Sequence, residues 1–136
     1  MNIKNINFIP EFQLSVIRLI GVSRLAIELK KLSESVEHCP VTYETEGIQV
    51  KEKLAYLHYF AGAWDWYILE KDMYKEQEQA YGVVVNSGGI EFGYINIEEL
   101  KSIRGVEVDL HWTATSLSNI RKLDSYFKSL KRLEGV

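Results

Sequence analysis

The sequence contains one cysteine and two prolines among its 136 residues. A lone cysteine, Cys39, forms no internal disulfide, which agrees with a reducing compartment. The first residues lack a basic start, an apolar core and a small-residue cleavage site, so no secretory signal is predicted. We therefore expect a cytoplasmic protein.

A long unbroken apolar run is also missing. The most apolar stretch, residues 14 to 29, is interrupted by Arg18, Gly21, Arg24 and Glu28, whereas a membrane span needs about 20 consecutive apolar residues. No membrane association is predicted. With 46% hydrophobic and 26% charged residues, the chain has the composition of a single globular domain over residues 1 to 136.

Sequence motifs of the common enzyme classes are missing as well. The chain has no P-loop, no GxGxxG, no CxxC, no HExxH and no GxSxG, so no cofactor is predicted. Cys39 follows His38 directly, but adjacent side chains on an extended chain point to opposite sides. His38 is therefore badly placed to act as the general base for a Cys39 nucleophile. The sequence favours a protein that is not an enzyme.

Charge is distributed unevenly along the chain. The net charge is −3, but residues 117 to 136 contain five basic and two acidic side chains, so that segment is +3 and the remainder −6. An acidic body disfavours binding to the phosphate backbone of nucleic acids. The basic C-terminal segment fits contact with an acidic surface or a simple solvated helix face.

Hydrophobic periodicity predicts a helix near each end of the chain. The first, at about 11 to 36, places apolar residues at three- and four-residue steps, and Gly21 is expected to bend or split it. Pro40 favours a stop before the sheet region. The second, at about 117 to 133, shows the same spacing with Thr115 or Ser116 as cap. The two apolar series are Leu14, Ile17, Gly21, Leu25, Leu29 and Leu32, and Leu117, Ile120, Leu123, Phe127 and Leu130.

A period of two predicts strands over residues 41 to 113. A turn at Ser87-Gly88-Gly89 predicts a hairpin, residues 73 to 79 are too polar for a core, and Asn96 can cap a short helix that ends at Gly105. The predicted strands are 41 to 45, a longer one reaching Phe60, 63 to 71, 81 to 85, 90 to 95 and 106 to 112. The fold class is therefore α+β, a mainly antiparallel sheet of five or six strands with helices on one face.

Short motifs between residues 60 and 117 occur in a distinctive order. They are Trp66-Tyr67 followed by Glu70, Tyr81-Gly82, Glu91-Phe92-Gly93-Tyr94, Glu99-Leu100, Arg104-Gly105 and Glu107-Val108-Asp109-Leu110-His111-Trp112. In this order they resemble the bacterial family called domain of unknown function 2958, found chiefly on phages, plasmids and conjugative elements. The resemblance implies an origin on a mobile genetic element.

The chain departs from that family at several places. Val108 stands where members usually have a basic residue, Val106 follows Arg104-Gly105 without the longer insert, and Thr115-Ser116-Leu117 replaces a proline-containing step. The N-terminal helix has no counterpart. The family supplies no active-site residues to transfer to this chain.

Candidate contact residues follow from strand alternation. On a strand, Trp64 and Trp66 share one face and are expected to be core or half-core residues, while Asp65 and Tyr67 share the other face and are candidates for contact with a partner. Accordingly, Trp66→Ala is expected to destabilise strongly and Asp65→Ala mildly. Tyr94, Asp109 and His111 complete the candidate binding set.

A weak metal site is a further candidate. Glu107, Asp109 and His111 would share one strand face, and His58 on another strand would approach them. Two carboxylates and a histidine are a workable ligand set for a divalent cation. The same alternation is expected of any half-exposed strand, so no metal ligand is assigned.

The composition and motifs together favour a binding module. The leading hypothesis is an accessory module of a mobile element that binds another protein, as anti-defence or host-modulating proteins do. One alternative is nucleic-acid binding by sheet aromatics. The other is a small metal-dependent enzyme with a site at Glu107, Asp109 and His111. The oligomeric state is left open.

Overall fold

The structure, a computed structural model, describes residues 4 to 133. Four α-helices and seven strands follow the order predicted for an α+β chain. The helices are α1 (Glu11–Ile20), α2 (Ala26–His38), α3 (Ile97–Ser102) and α4 (Asp124–Leu133). The strands are β1 (Leu54–Ala55), β2 (Leu57–Ala61), β3 (Trp64–Glu70), β4 (Ala80–Asn86), β5 (Gly89–Ile95), β6 (Glu107–Val108) and β7 (Thr115–Ser116).

An antiparallel sheet forms the centre of the fold. Its five strands lie in the order β5-β4-β3-β2-β6, and β1 pairs with β7 in a separate two-stranded sheet. Successive strands from β2 to β5 pair with their sequence neighbours, as short connections require. The α+β class with a mainly antiparallel sheet is therefore confirmed.

The N-terminal helical segment splits at Gly21. This glycine has φ 111°, a backbone angle that residues other than glycine rarely adopt. Its N–H still donates to the carbonyl of Ile17 and closes α1, and a 3₁₀ turn at Val22–Leu25 leads into α2. The predicted split is confirmed, and the predicted end near residue 36 lies within two residues of the end of α2.

Both faces of the sheet are covered, whereas the sequence predicted helices on one face. The first cluster joins α1, α2 and α3 to sheet residues such as Tyr59, Trp66 and Ile68. The second places Leu117, Ile120 and Leu123 of the C-terminal segment against the opposite side. The C-terminal segment, residues 117 to 133, therefore covers the second face of the sheet, and we call it the C-terminal lid.

The predicted strand at residues 41 to 45 is wrong. This segment forms turns because the buried carboxylate of Glu70 accepts hydrogen bonds from the backbone N–H groups of Tyr43, at 2.8 Å, and Thr45, at 3.1 Å. Tyr43 has φ 78, which no strand accommodates. A carboxylate distant in sequence has replaced the strand partner that these amides would otherwise need.

Two predicted boundaries near the C-terminus are also corrected. The strand expected over residues 106 to 112 is only β6, because the Asp109 carboxylate accepts the N–H of His111 at 2.9 Å and turns the chain. The helix expected from residue 117 begins at Asp124. Residues 117 to 123 instead form two 3₁₀ turns that bury three apolar side chains.

Candidate functional site

A cluster of charged side chains lies between the sheet and the C-terminal lid. Asp65 of β3 is 3% exposed, and each of its carboxylate oxygens has a partner. Oδ1 lies 2.7 Å from Nε2 of His58 on β2, and Oδ2 accepts a hydrogen bond of 2.6 Å from Nζ of Lys122. Lys122 belongs to the 3₁₀ turn Arg121–Leu123. The buried carboxylate therefore ties the lid to the sheet.

Aromatic rings hold the imidazole of His58 in place. It stacks on Tyr67 at a centroid distance of 4.7 Å and an interplanar angle of 11°, and Trp112 and Phe60 lie at 5.0 and 5.5 Å. Burial, with a smaller contribution from the charge of Asp65, raises the pKa of Tyr67 above its ordinary range. Tyr67 therefore stays neutral and acts here as a packing surface.

The second ring nitrogen of His58 does not reach solvent. Nδ1 is buried without a hydrogen-bond partner in the described chain and lies 3.5 Å from Oδ2 of Asp109. The main surface grooves that described residues line include neither His58 nor Asp65. A general base must come within hydrogen-bond reach of its substrate. This geometry suits a structural ion-pair network better than a proton-transfer site.

The candidate contact residues fall in four different environments. Asp65 and Tyr67, expected to face solvent, are each 3% exposed because the lid covers their side of the sheet, so that expectation is wrong. Tyr94 is exposed, and its hydroxyl hydrogen-bonds to that of Tyr43. Asp109 lies beside His58, and His111 is exposed in the turn after β6. The five candidates do not form one surface.

Of the four weak metal candidates, the structure brings together only Asp109 and His58. Glu107 is exposed on β6, while Asp109 turns toward His58 and His111 stands apart in the turn. Over residues 4 to 133, no group of three or more His, Cys, Asp or Glu side chains is placed to hold a metal ion. Cys39 is no better as a nucleophile, because burial raises the pKa of its thiol to about 12.

The sheet aromatics proposed for base stacking are mostly covered. Six tryptophan and tyrosine rings are candidates for stacking, and because both faces of the sheet carry helices or turns, only Trp64 and Tyr94 stand open. The other four, which are buried or half-buried, are Tyr56, Trp66, Tyr67 and Tyr81. The sheet therefore lacks a row of exposed aromatic rings on which the bases of a single-stranded nucleic acid could stack.

The most exposed apolar surface lies on α1. Phe12 is 77% exposed, Leu19 86%, Ile20 49% and Val16 39%. At 100° per residue these four side chains share one side of the helix, which we call the outer face of α1. Ile17, on the opposite side, is buried in the core.

Exposure of this kind is unusual for a helix. Contiguous apolar patches on a protein surface are typical of interaction sites. Ile27, at the start of α2, is also 83% exposed. Among the described residues, the outer face of α1 is therefore an apolar surface that nothing covers.

The apolar spacing of the outer face can be read from the sequence, but it overlaps the apolar series that predicts the core side of the helix. The series beginning Leu14, Ile17 accounts for only one side of α1. The residues at positions 12, 16, 19 and 20 are all apolar and follow their own i, i+4, i+7, i+8 spacing. Two apolar series on one short helix predict a second apolar face.

Comparison with known proteins gives no relative. No family model, no curated protein and no solved structure matches the chain. The resemblance to the domain of unknown function 2958 family therefore stays a prediction. Within residues 4 to 133, no helix is long and apolar enough to cross a membrane.

Proposed function

We propose that this chain is a protein-interaction module that binds its partner through the outer face of α1. The observation that carries the proposal is the exposure of four large apolar side chains on one side of a ten-residue helix. Their burial in a complex would supply the driving force for association, since apolar surface removed from water contributes about 25 cal/mol per Å². Phe12 and Leu19, the most exposed of the four, are the expected anchors.

The remaining features of the molecule support binding over catalysis. The buried thiol of Cys39 and the enclosed imidazole of His58 are both withheld from a substrate. A module of this kind needs a stable scaffold, which the double-sided core provides. An origin on a mobile genetic element, as the family resemblance implies, would make an anti-defence or host-modulating role the natural setting.

Site-specific photo-crosslinking tests the proposal. A photoreactive amino acid is placed at position 19 and, as a matched control, at position 133, since Leu133 is 84% exposed on the distant helix α4. Both proteins are irradiated alone and in a lysate of the source cell. We expect a discrete protein adduct from position 19 that position 133 does not give. Equal adduct patterns from the two positions would exclude the outer face of α1 as the binding surface.

A further inference from the structure

We propose that a groove between the C-terminal lid and the 3₁₀ turn Val50–Glu52 binds an acidic peptide segment of another protein. The groove has a volume of about 770 Å³, within the range of roughly 300–1,000 Å³ that is typical of ligand sites. The lid forms one side of it, whereas α1 packs against the other face of the sheet. The inference is therefore independent of the outer face of α1.

Part of the lining of the groove is apolar. Phe127 and Leu130 of α4 line it from the lid, and Val50 lines it from the 3₁₀ turn. The first two are half-buried and Val50 is 38% exposed, so all three side chains keep some apolar surface in contact with water. An apolar side chain of a ligand would cover this surface, at a gain of about 25 cal/mol per Å² removed from water.

The charged part of the lining is predominantly basic. Lys51, Lys128 and Lys131 line the groove together with one acidic residue, Asp124, which gives three positive charges against one negative charge. The three lysines are exposed, and none of them forms an ion pair within residues 4 to 133. The chain as a whole has a net charge of −3. A positive groove on a negative molecule attracts acidic ligands and repels basic ones.

The order of residues on α4 places the two kinds of lining side by side. Phe127 and Leu130 are three residues apart, and each is followed directly by a lysine, Lys128 or Lys131. Residues three apart are neighbours on a helix surface, so the apolar pair and the basic pair run along α4 in parallel. Lys51 adds a positive charge from the other element. An extended segment lying along α4 could therefore place apolar side chains against one row and carboxylates against the other.

This lining fits a peptide better than a nucleic acid. Binding to a phosphate backbone depends on the neutralisation of several successive phosphates, and Asp124 would repel them. Base stacking needs exposed aromatic rings, whereas Phe127, the one aromatic side chain among the described residues that line the groove, is half-buried. An apolar centre beside charged groups is instead the usual composition of a protein interface.

Selection from random short peptides displayed on phage tests the chemistry of the ligand. The library is first depleted on the double variant Lys128→Glu/Lys131→Glu, which keeps α1 unchanged and so removes peptides that bind its outer face. It is then selected on the parent chain. We expect the recovered peptides to combine Asp or Glu with large apolar residues. Recovery of no peptide, or of peptides no richer in acidic residues than the starting library, would overturn the proposal.

Fluorescence anisotropy of a labelled recovered peptide then locates the site. The dissociation constant should rise about 10-fold or more for Lys128→Glu/Lys131→Glu. Arg121→Glu/Arg132→Glu is the matched control, because it makes the same change in charge at two exposed lid residues that do not line the groove. At about 0.1 M salt, where distant charges are screened, it should stay within about two-fold of the parent chain. Equal weakening by both double variants would show that net charge and not the groove governs binding, and would overturn the site.

Two further measurements with the same assay separate the remaining possibilities. Leu19→Glu, on the outer face of α1, should leave the affinity for the peptide within about two-fold, and a large loss would place the peptide on α1 and overturn the groove. A single-stranded DNA oligonucleotide of the same net charge should bind more weakly than the peptide. DNA that binds as tightly as the peptide and is lost in Lys128→Glu/Lys131→Glu would overturn the choice of a peptide ligand. None of these results depends on whether position 19 crosslinks to a partner.

Discussion

Nε2 of His58 and Oδ1 of Asp65 lie 2.7 Å apart on the side of the β2–β3 hairpin that the C-terminal lid covers. The same carboxylate holds Lys122 at 2.6 Å through its other oxygen. One buried side chain therefore joins the hairpin to a segment 57 residues later in the chain. This polar contact adds to the burial of Leu117, Ile120 and Leu123, which packs the lid against the sheet.

Asp65→Ala is expected to lower the free energy of unfolding by about 2–4 kcal/mol, because it leaves a buried imidazole and a lysine without their shared partner. The sequence alone predicted a mild effect, and the structure reverses that expectation. Lys122→Ala is the control. Its ammonium side chain is 56% exposed, so its loss should cost no more than about 1 kcal/mol. Denaturant titration measures both, and equal losses would contradict the central role of Asp65.

Gly82 and Gly93 face each other across β4 and β5 and offer a matched pair of substitutions. A Cβ at Gly82 would lie 2.0 Å from the carbonyl oxygen of Tyr67, a backbone atom, whereas one at Gly93 meets nothing within 4 Å. Gly82→Ala is expected to cost about 3 kcal/mol or more, since two strands must separate. Gly93→Ala should stay within about 0.5 kcal/mol. Thermal unfolding of the two variants measures both losses of stability.

Trp66→Ala is expected to destabilise the chain by about 3–5 kcal/mol, as removal of a buried aromatic side chain does. Trp66 is 8% exposed and packs in the larger core cluster. Trp64 is 46% exposed and stacks on Trp66 at 5.6 Å, so Trp64→Ala should cost about 1 kcal/mol. Chemical unfolding followed by circular dichroism avoids reliance on the fluorescence of the residue removed. A larger loss from Trp64→Ala would disprove this assignment.

Stability is expected to fall at alkaline pH. Burial raises the pKa of the Cys39 thiol from its ordinary value of 9.0 to about 12. The unfolded chain ionises this thiol first, so the stabilisation is complete below about pH 9 and is lost as the pH rises towards 12. Burial also raises the pKa of Tyr59 and Tyr67, which extends the loss above pH 10.

The variant Cys39→Ala isolates the thiol. Its unfolding free energy should decline less steeply than that of the parent chain between pH 9 and 10, before the tyrosines of the unfolded chain ionise extensively. A difference in unfolding free energy that is the same at every pH reflects the packing change and does not report on the ionisation of Cys39. Parallel curves across that interval would show that Cys39 does not titrate as the structure requires.

Local elements of the fold were predictable because their signals are local. The hairpin of β4 and β5 was predicted to within a residue or so from alternation and the Ser87-Gly88-Gly89 turn. The Asn96 cap was also confirmed, since its side chain accepts the N–H of Glu99 at 3.1 Å. In each case the residues that decide the structure lie within a few positions of one another.

The wrong predictions share the opposite cause. Residues 41 to 45 form turns because of Glu70, and residues 117 to 123 leave helical geometry to bury Leu117 and Leu123 against the sheet. Asp109 ends a strand that its alternating neighbours predicted to continue. A partner distant in sequence, or one side chain turned back on the backbone, outweighed the local preference.

By itself, the sequence determined the α+β class, most of the elements and their order, since hydrophobic period, caps and turn residues act within short segments. It also determined that Asp65 and Tyr67 share one strand face and that Phe12, Val16 and Leu19 share one helix face. Only the tertiary structure decided which of those faces is covered. The lid buries the first pair, and nothing in residues 4 to 133 buries the second set. Alternation separates two faces of an element, but burial depends on what packs against each face, and that is decided by contacts far apart in the chain.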